Sequence, residues 1–154
     1  MRKMFAHCEA LTSLDLSVFV TSNVTQMESM FYYCSSLIDL DTSNFDTSKV
    51  TTMEQMFRYC AFTELDLRHF DVSSVTNMTS LFNDCQSLVN LDLTGWTNSA
   101  LLTGDRMFED CFVLSSVSLT NFSFQNVTTL DNLFRNCESL VSIDLWQADF
   151  SDLL

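Results

Sequence analysis

The stretch Asp41-Thr42-Ser43-Asn44-Phe45-Asp46-Thr47-Ser48-Lys49-Val50-Thr51-Thr52-Met53-Glu54-Gln55-Met56-Phe57-Arg58-Tyr59-Cys60 contains one unit of a pattern that governs the whole chain. Its closing cysteine recurs as Cys8, Cys34, Cys85, Cys111 and Cys137, so that successive cysteines are separated by 26, 26, 25, 26 and 26 residues. A fixed period of this length is the signature of a stacked array, in which each unit buries its apolar side against its neighbours.

Alignment on the cysteines brings the other apolar positions into columns. Leu14, Leu40, Leu65, Leu91, Val117 and Ile143 form one, and Leu16, Leu67, Leu93, Leu119 and Leu145 form the next but one, with Thr42 the exception. An aromatic column holds Phe19, Phe45, Phe70, Trp96 and Phe122, and a methionine- or leucine-phenylalanine pair such as Met56-Phe57 precedes every cysteine. The 154 residues, 47% of them apolar, show no break in composition, which predicts a single solenoid domain of about six repeats over residues 1–154. Met1 falls in the column of Met27 and Met53, inside a unit, and the last unit closes on Leu153 and Leu154 without a polar cap. The expectation is a section of a longer array.

Leucines two apart, as in Leu14-Asp15-Leu16, predict a short strand in each unit, and stacked units predict a parallel sheet. Beyond the aromatic column the spacing changes. Val24, Met27, Met30, Phe31 and Cys34 lie at offsets that match one face of a helix. Thr25 with Glu28, and Thr51 with Glu54, resemble capping boxes at its start. The fold class read from sequence is therefore an α/β repeat solenoid of leucine-rich-repeat-like coils, with one short parallel strand and one short helix per 25–26-residue repeat.

The consensus L-x-x-L-D-L-S-x-F-D-T-S-x-V-T-x-M-x-x-M-F-x-x-C, best seen from Asp41 to Thr51, resembles the surface-protein repeats related to BspA-like leucine-rich repeats, over essentially the whole chain. That resemblance implies an extracellular or cell-surface protein engaged in adhesion or partner recognition. One departure stands out. Where such repeats often carry glycine before the cysteine, this chain has His7, Tyr33, Tyr59, Asp84, Asp110 and Asn136.

Strand alternation turns the residues between the inward leucines outward. This face holds Asp15, Asp41, Asp66, Asp92 and Asp144, flanked by Asp39, Glu64 and Asn90 on one side and by Arg68 and Trp146 on the other. These ten residues are the candidate partner-binding face. Carboxylates stacked about 5 Å apart are expected to repel and raise one another's pKa, and calcium is the one cation such a ladder would suit. No other cofactor is expected. A net charge of −13 disfavours nucleic acid and anionic membrane as partners, and no stretch is apolar for long enough to insert in a bilayer.

The cysteines are too far apart in sequence for a metal-thiolate motif and read as buried free thiols within the core. The threonines before the expected helices read as caps rather than as a hydroxyl array. Sequons such as Asn23-Val24-Thr25 follow automatically from the repeat. With only His7 and His69, no nucleophile elbow and no phosphate-binding glycine loop, catalysis is not expected. The leading expectation is a recognition or adhesion scaffold binding a protein or glycan through its acidic face. The alternative is a structural subunit that self-assembles end to end as a homo-oligomer.

Overall fold

The computed structural model describes residues 1–151; Leu153 and Leu154, which motivated part of the self-assembly expectation, lie outside the described residues. The repeat forms stacked coils. Leu65, Leu67, Leu91, Leu93, Val117 and Leu119 point inward and are at most 9% exposed, as the columns require. Three strands, β1 (Asn90–Asp92), β2 (Ser116–Ser118) and β3 (Ser142–Asp144), pair in parallel in the order β1-β2-β3, with Leu91 opposite Val117 and Val117 opposite Ile143. The strand expected in every coil is thus formed in the last three, and only over three residues in each.

The expected helices are absent among the described residues. In their place each coil runs through consecutive tight turns. Met30, Tyr32 and Cys34 donate their N–H groups to the carbonyls three residues earlier, at 3.2, 3.2 and 3.1 Å. The intervening N–H groups of Met27, Ser29, Phe31 and Tyr33 leave the coil and donate to Thr52, Glu54, Met56 and Arg58 of the next, at 2.8–3.1 Å. An α-helix needs those same donors for carbonyls four residues back, so the two arrangements exclude each other. The backbone angle decides between them. Lys3, Ser29, Gln55, Ser80, Arg106 and Asn132 have φ between 54° and 60°, and His7, Tyr33, Tyr59, Asp84, Asp110 and Asn136 have φ between 60° and 63°. Two left-handed residues per coil interrupt any right-handed helix.

The threonine caps are corrected with the helices. Thr51 and Thr76 donate their hydroxyls to the backbone carbonyls of Thr25 and Thr51 in the preceding coil, at 3.1 Å each, and Thr128 does the same to Leu102 at 3.0 Å. Beside them Gln26, Thr52, Asn77, Thr103 and Thr129 form a second parallel ladder of single bridges. Thr103 keeps its place in this ladder although Gly104 beside it occupies the methionine column.

Phenylalanine forms the spine of the core. Phe5, Phe31, Phe57, Phe82, Phe108 and Phe134 stack in one column with ring centroids 5.1–5.8 Å apart and nearly parallel planes. Offset stacking of this kind adds to the burial of each ring. Alongside, each thiol from Cys34 to Cys137 donates to the carbonyl of the phenylalanine in the preceding coil, at 3.0–3.2 Å. Burial pushes Cys34 up to about 11 and raises Cys60, Cys85, Cys111 and Cys137 as well, so these thiols stay protonated donors. The methionines at helical spacing, Met27, Met30, Met53, Met56, Met78 and Met107, are core.

Candidate functional site: the acidic strand face

The outward residues between the leucines share one local geometry. The carboxylate of Asp15 accepts the N–H of Ser17 at 2.9 Å, Asp41 that of Ser43 at 2.9 Å, Asp66 that of Arg68 at 3.1 Å, Asp92 that of Thr94 at 2.9 Å and Asp144 that of Trp146 at 2.9 Å. Each is a side chain closing a turn on the backbone two residues on, the motif in which aspartate replaces a backbone carbonyl. Local structure therefore accounts for one oxygen of each aspartate and fixes the direction of the other.

The expected rise in pKa is overturned by the same bonds. Hydrogen bonds from Ser17, Ser43 and Thr94 hold Asp15, Asp41 and Asp92 below the ordinary carboxylate range, outweighing the opposing influence of Asp41 on Asp15 and of Asp66 on Asp92. Asp66 is held down at about 2 by Arg68, whose guanidinium grips both of its oxygens at 3.0 and 2.9 Å. Donors to the charged form act at contact distance, while neighbouring carboxylates act through solvent. Asp15, Asp41, Asp66 and Asp92 are therefore ionised at neutral pH.

In the fifth coil Ser118 takes the aspartate position, and its hydroxyl bonds to Thr94 and Thr120, each at 3.1 Å. Thr120 in turn donates to Asp144 at 3.2 Å. Asn90 accepts from Ser115 at 2.9 Å and from Ser116 at 2.6 Å. The central part of the face is thus cross-linked by hydroxyls.

Six of the ten predicted residues come together around one trough of about 540 Å³. Glu64, Asp66, Arg68, Asn90, Asp92 and Asp144 line it over a floor of Leu65, Leu91 and Val117. Asp39 and Asp41 line an adjoining hollow of about 300 Å³ with Glu64, Asp66 and His69. Asp15 lines a third, smaller one with Ser17 and Asp41. Trp146 lies outside these three hollows and is 63% exposed. Among the described residues no three histidine, cysteine, aspartate or glutamate side chains are placed to hold a metal ion. No helix among them is long and apolar enough to cross a membrane.

Two features escaped the sequence reading. Asp46, Asp71 and Asp149 form a second column of turn-closing carboxylates, accepting the N–H groups of Ser48, Ser73 and Ser151 at 2.9–3.1 Å; the recurring D-x-S was the available signal. On another edge His7, Tyr33 and Tyr59 stack at 5.4 and 4.7 Å, and the Arg58 guanidinium sits 5.0 Å from the Tyr59 ring centre and 3.9 Å from Asp84. The column before the cysteines already put His7, Tyr33, Tyr59 and Asp84 in register, and that was the available signal.

The repeat is that of a described family. Its model, a Mycoplasma protein of unknown function, DUF285, matches residues 1–118 and again residues 37–147. The chain belongs to this family. Two overlapping matches on one chain are what a DUF285 array should give when several registers of the repeat fit equally well. No curated protein matches the sequence. Among solved structures, a leucine-rich repeat protein of T. pallidum is similar over 93% of this chain and 60% of its own length, with 20% identity and a TM-score of 0.59. A leucine-rich repeat protein from Bacteroides ovatus is similar over 98% of this chain and 43% of its own, with 18% identity and a TM-score of 0.52. Likeness at such identity shows the fold alone: this member of DUF285 has a leucine-rich-repeat-like solenoid fold and spans less than two thirds of either neighbour.

Proposed function

We propose that the chain is a non-catalytic recognition scaffold that captures a protein or glycan on its acidic strand face, in an extracellular or cell-surface setting. The observation that carries this reading is the row of turn-closed aspartates. One oxygen of Asp15, Asp41 and Asp92 is fixed by the backbone, so the other is presented in a set direction at little cost in side-chain entropy on binding, while the second oxygens of Asp66 and Asp144 are taken by Arg68 and Thr120. The setting rests on the resemblance to BspA-like surface repeats. The excess of 20 acidic over 7 basic residues favours a cationic partner and disfavours nucleic acid.

The test exploits a property of asparagine, which closes the same turn without the charge. Asp41→Asn, Asp66→Asn and Asp92→Asn together should keep the fold and abolish retention of the chain on immobilised poly-lysine. A control triple of Glu9→Gln, Asp131→Asn and Glu138→Gln, exposed carboxylates elsewhere on the surface, should leave retention nearly intact. Equal losses in the two triples would mean that net charge alone is read, and the face would lose its assignment.

A second reading, end-to-end self-assembly, draws on the polarity of the turn ladder. In the turn segment alternate N–H groups such as Met27, Ser29, Phe31 and Tyr33 donate to the coil that follows, while Thr51, Thr76 and Thr128 donate to the coil before, so the turn segment at one end of an array is complementary to that at the other end of a second. A concentration-independent monomer in sedimentation would dispose of it.

A further inference from the structure

The hollow that adjoins the trough lies between two coils whose strand segments do not pair. No backbone hydrogen bond joins residues 39–42 to residues 64–67 among the described residues, and the parallel sheet begins only at Asn90. Three of the carboxylates lining this gap, those of Asp39, Asp41 and Glu64, pair with no lysine or arginine among the described residues. Asp66 beside them is already neutralised by Arg68. Asp41 uses one oxygen to close its turn and leaves the other free. An acidic cluster alone identifies no ligand, and the residue that adds the missing information is Thr42. It takes the inward position that Leu16, Leu67, Leu93 and Leu119 hold in other coils. It lines the hollow, is 2% exposed, and its hydroxyl is buried without a hydrogen-bond partner. Such a group weakens a core that leucine would fill. His69 donates its Nε2–H to the Thr42 carbonyl at 2.8 Å, tying the two walls together beside that free hydroxyl.

The acceptors define the ligand. Three carboxylates and a hydroxyl, with no free cation among them, call for a positively charged hydrogen-bond donor. A calcium ion needs several oxygens at about 2.4 Å, and no three of these acidic or histidine side chains are placed to hold one metal ion. A nitrogen cation reaches its acceptors at about 2.8 Å. A guanidinium presents a rigid planar fork that matches both oxygens of one carboxylate, whereas an ammonium turns three donors in different directions. Acceptors supplied by two opposing coils suit the ammonium. Leu40 and Leu65 line the same hollow and offer an apolar surface for its aliphatic stem.

We propose that this hollow receives a primary alkylammonium group, the end of a partner's lysine side chain, held by the carboxylates of Asp39, Asp41 and Glu64 and by the Thr42 hydroxyl. This rests on the recognition reading and names the chemical group that the acidic face captures.

The experiment titrates n-butylammonium into the full chain and follows the methyl resonances of Leu40 and Leu65, which should shift and saturate. n-Butyltrimethylammonium, with the same charge and stem but no N–H donor, should bind at least roughly tenfold more weakly. Thr42→Val keeps the shape of the side chain and removes the hydroxyl; it should weaken n-butylammonium roughly tenfold without lowering the unfolding midpoint. Asp39→Asn with Glu64→Gln, both at exposed positions and therefore harmless to the core, should abolish the shifts. No saturable shift, equal binding of the two amines, tighter binding of n-butylguanidinium, or indifference to Thr42→Val would overturn the ammonium site. If one of these results appears while Asp41→Asn, Asp66→Asn and Asp92→Asn together still abolish retention on poly-lysine, the hollow falls and the acidic face stands. If n-butylammonium binds the unaltered chain as expected while that triple retains poly-lysine binding, the hollow stands and the acidic face loses its role.

Discussion

Phe57→Ala is expected to cost about 3–5 kcal/mol and to divide the array. Phe57 is fully buried, stacked on Phe31 at 5.8 Å and on Phe82 at 5.7 Å, with Phe62 edge-on at 5.8 Å. Removing its ring leaves a void between three aromatic neighbours that cannot close without shifting the coils, whose separation is set by the backbone ladder. In a solenoid each coil touches only its neighbours, so stability is nearly a sum of coil and interface contributions. A coil in the interior of the array is therefore a poor place to lose an interface. Urea unfolding followed by amide exchange should show a lower midpoint, with protection lost first around Phe57. Val141→Ala, at an exposed position, should change stability by less than about 0.5 kcal/mol. A Phe57→Ala penalty no larger than that would contradict the stacked spine.

A second large effect is expected at Gln55. Its N–H donates to the carbonyl of Thr79 in the next coil at 3.0 Å, and its φ is 56°. Proline has no N–H and is confined to φ near −65°, so Gln55→Pro removes one rung of the ladder and forces the turn into a conformation it cannot hold. The cost should reach about 3 kcal/mol or more, visible as a fall in unfolding midpoint comparable to that of Phe57→Ala. A proline tolerated at this site would mean that the rung contributes little.

Much of the fold was legible because apolar columns report burial whatever the backbone does between them. Leu91, Leu93, Met56, Phe57, Trp96 and Cys60 are inside, as their columns demanded. The helix was misread for the same reason. Offsets of three and four residues bury one side of a helix, and a succession of tight turns buries the same residues, so Val24, Met27, Met30, Phe31 and Cys34 fit both. What separates the two is the sign of φ at Ser29 and Tyr33, which side-chain periodicity does not encode. The one hint was chemical: the position before the cysteine, where the repeats this chain resembles often carry glycine, is one of the two left-handed positions in each coil. Its occupation by tyrosine and aspartate here concealed a glycine-like geometry.

The candidate face was legible in position and not in character. Alternation placed Asp15, Asp41, Asp66, Asp92 and Asp144 outward, but their partners are N–H groups two residues along the same chain. Charge counting across coils therefore gave the wrong direction for Asp15, Asp41, Asp66 and Asp92. Local hydrogen bonding at contact distance outweighs screened repulsion between neighbours.

The central feature of the molecule is the left-handed turn in place of a helix, since it sets the coil spacing and with it the geometry of the strand face. The difference in unfolding free energy between Gln55→Gly and Gln55→Ala tests it most directly, because both substitutions remove the same side-chain interactions. At a left-handed position glycine should be the more stable of the two by about 1 kcal/mol. In a helix the order reverses, with alanine the more stable by about 1 kcal/mol, and that result would contradict the account.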